Sequence, residues 1–155
     1  MTDARWLDDR EQRAWRSLRS MHDDVMVFIE RRLRARSGLS YADYRVLALL
    51  SQEPDSRLRS FELGRRLRWE KSRLSQHLGR METRGLVRRE RCADDLRGAV
   101  VVLTPQGLDV IKAAAPSHVA DVREAFIDHL TEAELETLIS IGDKVRERLA
   151  ASESG

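Results

Sequence analysis

One segment, residues 71–84, concentrates polar and basic side chains whose hydrogen-bonding groups match the edges of DNA bases. Arg73 can donate two hydrogen bonds to guanine, and Gln76 can pair with adenine in the same two-point way. The smaller polar side chains suit phosphates or either base type. The sequence therefore predicts that this segment contacts double-stranded DNA through Lys71, Ser72, Arg73, Ser75, Gln76, His77 and Arg80.

A second basic feature follows in residues 88–107, RRERCADDLRGAVVVLTPQG, which predict a strand, a polar loop, another strand and a helix start. Arg97 lies in the loop, and five residues separate it from Leu103. An arginine at a hairpin tip can enter a narrow minor groove, where negative potential is concentrated. We expect Arg89, on the first strand, and Ser60, at a helix start upstream, to contact phosphates.

The distribution of charge also indicates a polyanionic partner. The net charge is only +2, but residues 55–105 carry 13 basic and 7 acidic groups, a net of +6. Residues 1–54 have a net charge of +1, and residues 106–155 have −5. The middle third is therefore suited to nucleic acid. A basic surface that is merely solvated is the alternative.

Hydrophobic periodicity and capping signals predict the elements that must position these side chains. Helices are expected over residues 8–36, 40–53, 61–67 and 71–84, and strands over 86–92 and 99–103. Ser60 is predicted to cap the third helix. A long helix is expected to begin after Thr104 and to kink or split at Pro116, and a capping box at Thr131 is expected to open the last helix.

The order of these elements predicts a mainly α fold with a small β-hairpin wing, as a single domain over residues 1–155. Two short helices followed by a hairpin make residues 40–104 a winged helix-turn-helix DNA-binding region. The helices within 8–36 and 105–150 are amphipathic and flank a domain too small to bury them. We expect them to pair with the same helices of a second copy. A monomer with these helices folded back is the alternative.

At this point the chain resembles the MarR (multiple antibiotic resistance regulator) family of winged helix-turn-helix transcriptional regulators, across nearly its whole length. The resemblance rests on LSYADYRVL at 39–47, on Glu62-Leu63, on Ser72, Leu74, Ser75, Met81, Glu82, Gly85, Leu86 and Val87, and on Asp95-Leu96-Arg97 followed by LTPQG at 103–107. The spacing of wing to following helix is the most specific of these features. Gln76 departs from the family, whose members often carry arginine there.

The resemblance implies a symmetric homodimer that binds a palindromic double-stranded DNA operator, and we expect a repressor with half-sites about one helical turn apart. It gives Asp95 a supporting role in the wing, where its carboxylate would hold a nearby guanidinium. It also implies release by a small aromatic ligand, which we leave open without assigning ligand residues.

Other functions have less support in the sequence. No glycine-rich phosphate loop, Gly-x-Ser-x-Gly or Cys-x-x-Cys occurs, so we expect neither an enzyme nor a cofactor. Cys92, His118 and His129 leave a redox- or metal-responsive regulator of the same fold as an alternative. Another is a winged-helix module for protein contacts without specific DNA binding. The lone cysteine and the absence of a signal peptide or a long apolar run predict a cytoplasmic protein without membrane contact.

Overall fold

The computed structural model describes residues 4–91 and 98–153. Its elements in chain order are α1 (Asp9–Ser37), α2 (Tyr41–Ser51), β1 (Arg57–Arg59), α3 (Ser60–Leu67), α4 (Lys71–Thr83), β2 (Val87–Arg91), β3 (Ala99–Leu103), α5 (Pro105–Ala125), a 3-10 turn (Ile127–His129) and α6 (Glu132–Glu153). The predicted mainly helical fold with a small β wing is confirmed. Within the described ranges, no helix is both long and apolar enough to cross a membrane.

The sheet has three antiparallel strands in the order β1-β3-β2. The predicted hairpin forms with Arg89 opposite Val101, and β3 has the predicted bounds. The sequence did not reveal β1, in which Leu58 pairs with Val101. Its three residues are Arg-Leu-Arg, so only one apolar side chain marks it, which is too short a pattern for strand alternation to be recognised.

The core lies between α2, α3, α4 and the sheet. The predicted inward residues of α3 and α4 are buried, as the spacing of apolar side chains by three and four indicates. Burying each of these aliphatic side chains contributes about 1.5–3 kcal/mol, so the core holds the two helices of the helix-turn-helix in a fixed orientation. The largest fully buried side chains are Leu39, Val46, Leu47, Leu50, Leu63, Leu67, Leu78, Met81, Val87 and Val101.

Four helices begin with a side-chain cap. Asp8, Ser40 and Thr131 each form a reciprocal capping box, and Thr104 accepts a hydrogen bond from the backbone N–H of Gly107. The prediction that Ser60 caps α3 is wrong, because β1 continues to Arg59 and the chain enters the helix directly from the strand. Ser60 is therefore the first helical residue.

The long helix α5 is not split at Pro116, one of the two outcomes predicted there. It continues as one helix through this proline, from Pro105 to Ala125. Proline removes a backbone donor, but α5 packs along α1 and α2, and Ile111, Ala114 and Asp121 are buried before and after it. The helix ends instead at Phe126, whose backbone leaves the helical region.

Candidate nucleic-acid interface

All but one of the α4 side chains that were predicted to contact DNA lie on the exposed side of this helix. Leu74, Leu78 and Met81 are 4% exposed or less and hold the opposite side in the core. This arrangement follows from the helical period, which turns positions between the apolar ones outward. The predicted side chains that α4 exposes are Lys71, Ser72, Arg73, Ser75, Gln76 and Arg80.

His77 is the exception, and its predicted place on the DNA-contacting surface is not what the structure has. It is only 9% exposed, because it lies three residues after Leu74 and therefore on the inner side of α4. Its Nε2 lies 2.9 Å from Oδ1 of Asp43 in α2. The imidazole thus contacts the scaffold beneath the helix, and we exclude it from direct DNA contact.

Asp43 is the buried acid that receives this contact. Its carboxylate also accepts hydrogen bonds from Arg84 Nη1 at 2.7 Å and from the backbone N–H of Ser40 at 3.0 Å. Burial raises the pKa of Asp43, but the hydrogen bonds from His77, Arg84 and Ser40 outweigh it and hold the pKa well below its ordinary value. Asp43 is therefore a charged link between the start of α2 and both the middle and the C-terminal end of α4.

Trp69, in the turn between α3 and α4, touches two residues of α4. The guanidinium carbon of Arg73 lies 4.5 Å from the centroid of the Trp69 ring, a cation–π distance. The same indole meets the His77 ring edge-on, with centroids 5.1 Å apart. Sequence reasoning missed Trp69, although its position four residues before Arg73 is the spacing at which side chains meet on a helix.

Arg80 is held from the other side of the same imidazole. Its Nη2 lies 3.2 Å from Nδ1 of His77. Since a guanidinium can only donate, Nδ1 must be the unprotonated acceptor, and the ring proton belongs on Nε2, facing Asp43. Neither Asp43 nor Arg84 was predicted as part of the site. They are 41 residues apart, and no sequence pattern joins them.

Arg89 was predicted to contact phosphates, but the structure places its side chain against α4. Its Nη2 lies 3.2 Å from Glu82 Oε1, and Nη1 donates to the Oγ and the carbonyl of Ser75. The backbone N–H of Arg89 also donates to Glu82, which lowers the pKa of that carboxyl. Arg89 therefore fastens β2 to α4, and with 31% of its side chain exposed it retains only a partial outward surface.

The two helices of the helix-turn-helix begin differently from the other four. Neither the residue before α3, Arg59, nor the residue before α4, Glu70, makes a side-chain cap hydrogen bond within the described part of the chain. These two helix starts therefore lack the acceptor that a capping side chain supplies elsewhere, and an external group can provide one. Phosphate oxygens are such acceptors, and the helix dipole favours their charge. Ser60 stands at the first of these sites, half-buried.

The predicted tip of the wing falls in residues 92–97, outside the described residues. Arg97 and Asp95 belong to this segment, and so does Cys92. The strands on either side of it are paired, with Arg91 opposite Ala99. The assignments of Arg97 to the minor groove and of Asp95 to its support stay predictions.

The residues proposed for a metal site are used in other contacts. The centroid of the His118 ring lies 4.1 Å from that of Tyr44, and Nδ1 of His118 is buried without a hydrogen-bond partner among the described residues. Asp121, the carboxylate that such a site would need, is 2% exposed, and its Oδ1 lies 3.1 Å from Nη1 of Arg36. Nε2 of His129 lies 2.7 Å from the carbonyl of Glu124.

A small antiparallel sheet behind a helix-turn-helix, with one helix exposing a polar side, defines the winged helix-turn-helix class of protein. A sequence model of the MarR family matches residues 37–98. AbsC, a MarR family transcriptional regulator from Streptomyces coelicolor, is 39% identical and superimposes with a TM-score of 0.90, over 96% of this chain and 99% of AbsC. The chain therefore belongs to the MarR family of transcriptional regulators, not to a family of enzymes.

Two further relatives are informative. Sco3205, a MarR family transcriptional regulator from the same organism, was solved in complex with DNA. It is 37% identical over 94% of this chain and 92% of its own, with a TM-score of 0.90. The transcriptional regulator HosA of Escherichia coli O157:H7 is 41% identical over 76 residues. That match spans about half of each chain, 48% of this one and 55% of HosA.

Proposed function

We propose that this protein binds a specific palindromic operator as a homodimer and represses transcription, with α4 in the major groove. The observation that carries the proposal is the exposed side of α4, where Arg73, Gln76 and Arg80 stand at intervals of three and four residues above a helix fixed in the core. Arginine and glutamine are the side chains that distinguish guanine and adenine in that groove. We place this regulator in the cytoplasm, where its DNA lies.

Phosphate contacts would fix the register of α4 on the duplex. The uncapped starts of α3 and α4 supply backbone N–H groups, and Ser60, Lys71, Ser72 and Ser75 supply side-chain donors near them. Such contacts carry affinity but no sequence information. They predict a steep fall in affinity with salt, because each neutralised phosphate releases condensed counterions.

Apolar side chains that the protomer leaves exposed support the proposed homodimer. No residue of α6 is buried, although the helix carries an apolar stripe on one side. Leu138, Ile139, Val145 and Leu149 are between 38% and 55% exposed, and Trp15 and Leu18 on α1 are also about half exposed. A stripe of this length requires a partner. A second copy, pairing through helices within 8–36 and 105–150, supplies one and gives the two-fold symmetry of a palindrome.

Release by a small ligand would act at a cleft between α1, α2 and α4. The cleft has a volume of about 570 Å³ and is lined by Tyr41, Arg45, Arg31, Trp69 and Arg73 among others. An aromatic acid fits this lining of rings and guanidinium groups. Because Arg73 borders both the cleft and the exposed side of α4, a bound acid would draw it away from DNA.

The test is selection of bound fragments from the protein's own genome, followed by footprinting. We expect a protected inverted repeat, and an affinity for it that falls steeply with salt. Arg73→Ala and Arg80→Ala should each weaken operator binding by about 1–3 kcal/mol. Arg148→Ala, an arginine truncation on α6, is the matched control and should bind as the wild type does. Weak binding of equal strength to every sequence would favour the protein-contact module instead.

A further inference from the structure

The two arginines on the exposed side of α4 share one buried support. Arg80 donates to Nδ1 of His77, and Arg73 lies over Trp69, whose edge packs on the same imidazole. His77 itself is anchored on the α2 carboxylate of Asp43 through Nε2. One side chain, buried under α4, thus connects both arginines to the scaffold.

This arrangement matters because a long arginine side chain has many rotamers. Fixing it at the moment of binding costs conformational entropy, and a side chain that is already oriented avoids that cost. A bidentate contact with guanine also needs the guanidinium plane in one orientation. Side chains that hold an arginine before DNA arrives therefore favour the matching base over the others.

The chemistry of the imidazole makes it suited to this role. With its proton on Nε2 toward Asp43, it presents a lone pair at Nδ1, and Arg80 is a donor that fits this lone pair. The Asp43 oxygen 2.9 Å from Nε2 favours that tautomer, since a carboxylate can only accept. Asp43 is itself fixed by Arg84 and by the capping box with Ser40.

We propose that His77 is a positioning residue for base recognition, which orients Arg80 directly and Arg73 through Trp69 without touching DNA. The proposal rests on the proposed function, in which these two arginines contact bases. It adds that sequence preference depends on a buried residue of α4 and on its acid partner in α2.

Two substitutions separate the two ends of the imidazole. His77→Gln keeps an amide near the position of Nε2, facing Asp43, and loses the acceptor at Nδ1. His77→Asn keeps an acceptor near Nδ1 and loses the reach to Asp43. We expect His77→Gln to reduce the ratio of operator to non-specific affinity by about 5- to 100-fold, the range of one lost base contact, with an unchanged salt slope. His77→Asn should retain more of the contribution that Arg80 makes to this affinity ratio than His77→Gln does.

The decisive experiment is a double-mutant cycle with Arg80→Ala. If His77 acts through Arg80, then Arg80→Ala loses most of its effect on the affinity ratio once His77→Gln is present. Gln76→Ala is the matched control: it lies on α4 but outside these contacts, and its effect should be unchanged in the His77→Gln background. Additive effects of His77→Gln and Arg80→Ala would overturn the proposal, as would an equal loss of specific and non-specific affinity.

Failure of the proposed function would look different. In that case the wild type itself would show no preference for any sequence. Arg80→Ala would then leave the ratio of operator to non-specific affinity unchanged. If a His77 variant fails to fold, the free wild-type protein still provides a test. The Nε–H group of Arg80 should have a high NMR order parameter, and Asp43→Asn should lower it by loosening the imidazole. A fully mobile Arg80 in the wild type would contradict the proposal.

Discussion

The carboxylate of Asp43 accepts a 2.7 Å hydrogen bond from the guanidinium of Arg84, across 41 residues of sequence. Asp43 lies in the first turn of α2 and is 4% exposed, whereas Arg84 directly follows α4. The second guanidinium nitrogen of Arg84 donates to the carbonyl of Gly38, the residue that ends α1. This pair therefore ties the end of α4 to the junction of α1 and α2.

We predict that Asp43→Asn lowers the free energy of unfolding by about 2–3 kcal/mol, because it leaves the half-exposed Arg84 and the buried His77 without their anion. Denaturant unfolding measures this. Glu62→Gln is the matched control, since Glu62 also bonds two arginines, Arg65 and Arg66, but at the surface. Water screens that cluster, so the control should change stability little. Equal losses in the two variants would contradict a special role for Asp43.

The same carboxylate predicts a dependence of stability on pH. The pKa of Asp43 is lower in the folded protein than the ordinary value of 3.8. The unfolded chain therefore takes up a proton first, and stability that is fully present above about pH 3.8 is lost as the pH falls below it. Asp43→Asn should remove this part of the acid dependence. An unchanged acid transition in the variant would show that other groups cause it.

A second pH effect is expected at His118. Burial lowers the pKa of this imidazole, against the charge of Asp121, so the folded state favours the neutral ring. On acidification the unfolded chain binds the proton first, near pH 6.5, and stability falls from there toward the lower folded pKa. His118→Phe should remove this loss, so wild-type and variant stabilities should converge or cross as the pH falls from 7 to 5. Parallel profiles would contradict the prediction.

The sequence was most informative where periodicity and capping are local. The inward residues Leu74, Leu78 and Met81 and the capping boxes at Ser40 and Thr131 were predicted and are present. Each of these features depends on residues three or four apart. The fold class and the family could therefore be predicted from the chain alone.

Contacts between residues that lie far apart in the sequence could not be predicted from local patterns. His77 shares the inner side of α4 with Leu74, but no sequence pattern pairs it with Asp43, which lies in another helix. Pro116 carries a strong local signal for a break, but packing of α5 against α1 and α2 overrides it. Tertiary context decided both cases.

The exposed stripe of α6 predicts the effect of a charge placed there. Ile139→Glu should raise the dimer dissociation constant at least about 100-fold, since dimerisation would bury an unpaired carboxylate in place of an apolar side chain. Sedimentation velocity over a dilution series measures this. Lys144→Glu introduces the same charged side chain on the opposite side of α6 and should leave a dimer. A variant at Ile139 that remains dimeric would exclude α6 from the interface.

The wing makes a separate prediction. Arg97→Ala should weaken operator binding by about 1–3 kcal/mol without loss of fold, because an arginine that enters the minor groove contributes its binding energy there. Electrophoretic shift and thermal unfolding measure the two effects. The loss should be larger on operators with A·T pairs where the wing lies, since their groove is narrower. Unchanged affinity would mean that the Asp-x-Arg segment is not the DNA-contacting tip.

The last prediction concerns Gly107, in the first turn of α5. A Cβ built there would overlap the carbonyl oxygen of Leu86 and lie 2.8 Å from Cδ1 of Leu103. That carbonyl also accepts hydrogen bonds from the backbone N–H and the hydroxyl of Thr104, so it has little freedom to move. Gly107→Ala should therefore lower the free energy of unfolding by about 3 kcal/mol through overpacking.

Gly79→Ala on α4 is the matched control for this substitution. Among the described residues, its Cβ would meet only the guanidinium end of Arg89, at 3.6 Å, and alanine favours a helix over glycine by about 1 kcal/mol. The two variants should thus shift the unfolding midpoint in opposite directions. A neutral Gly107→Ala would mean that α5 can move away from Leu86, and the wing strands would then be less firmly joined to the long helix than the contacts of Thr104 imply.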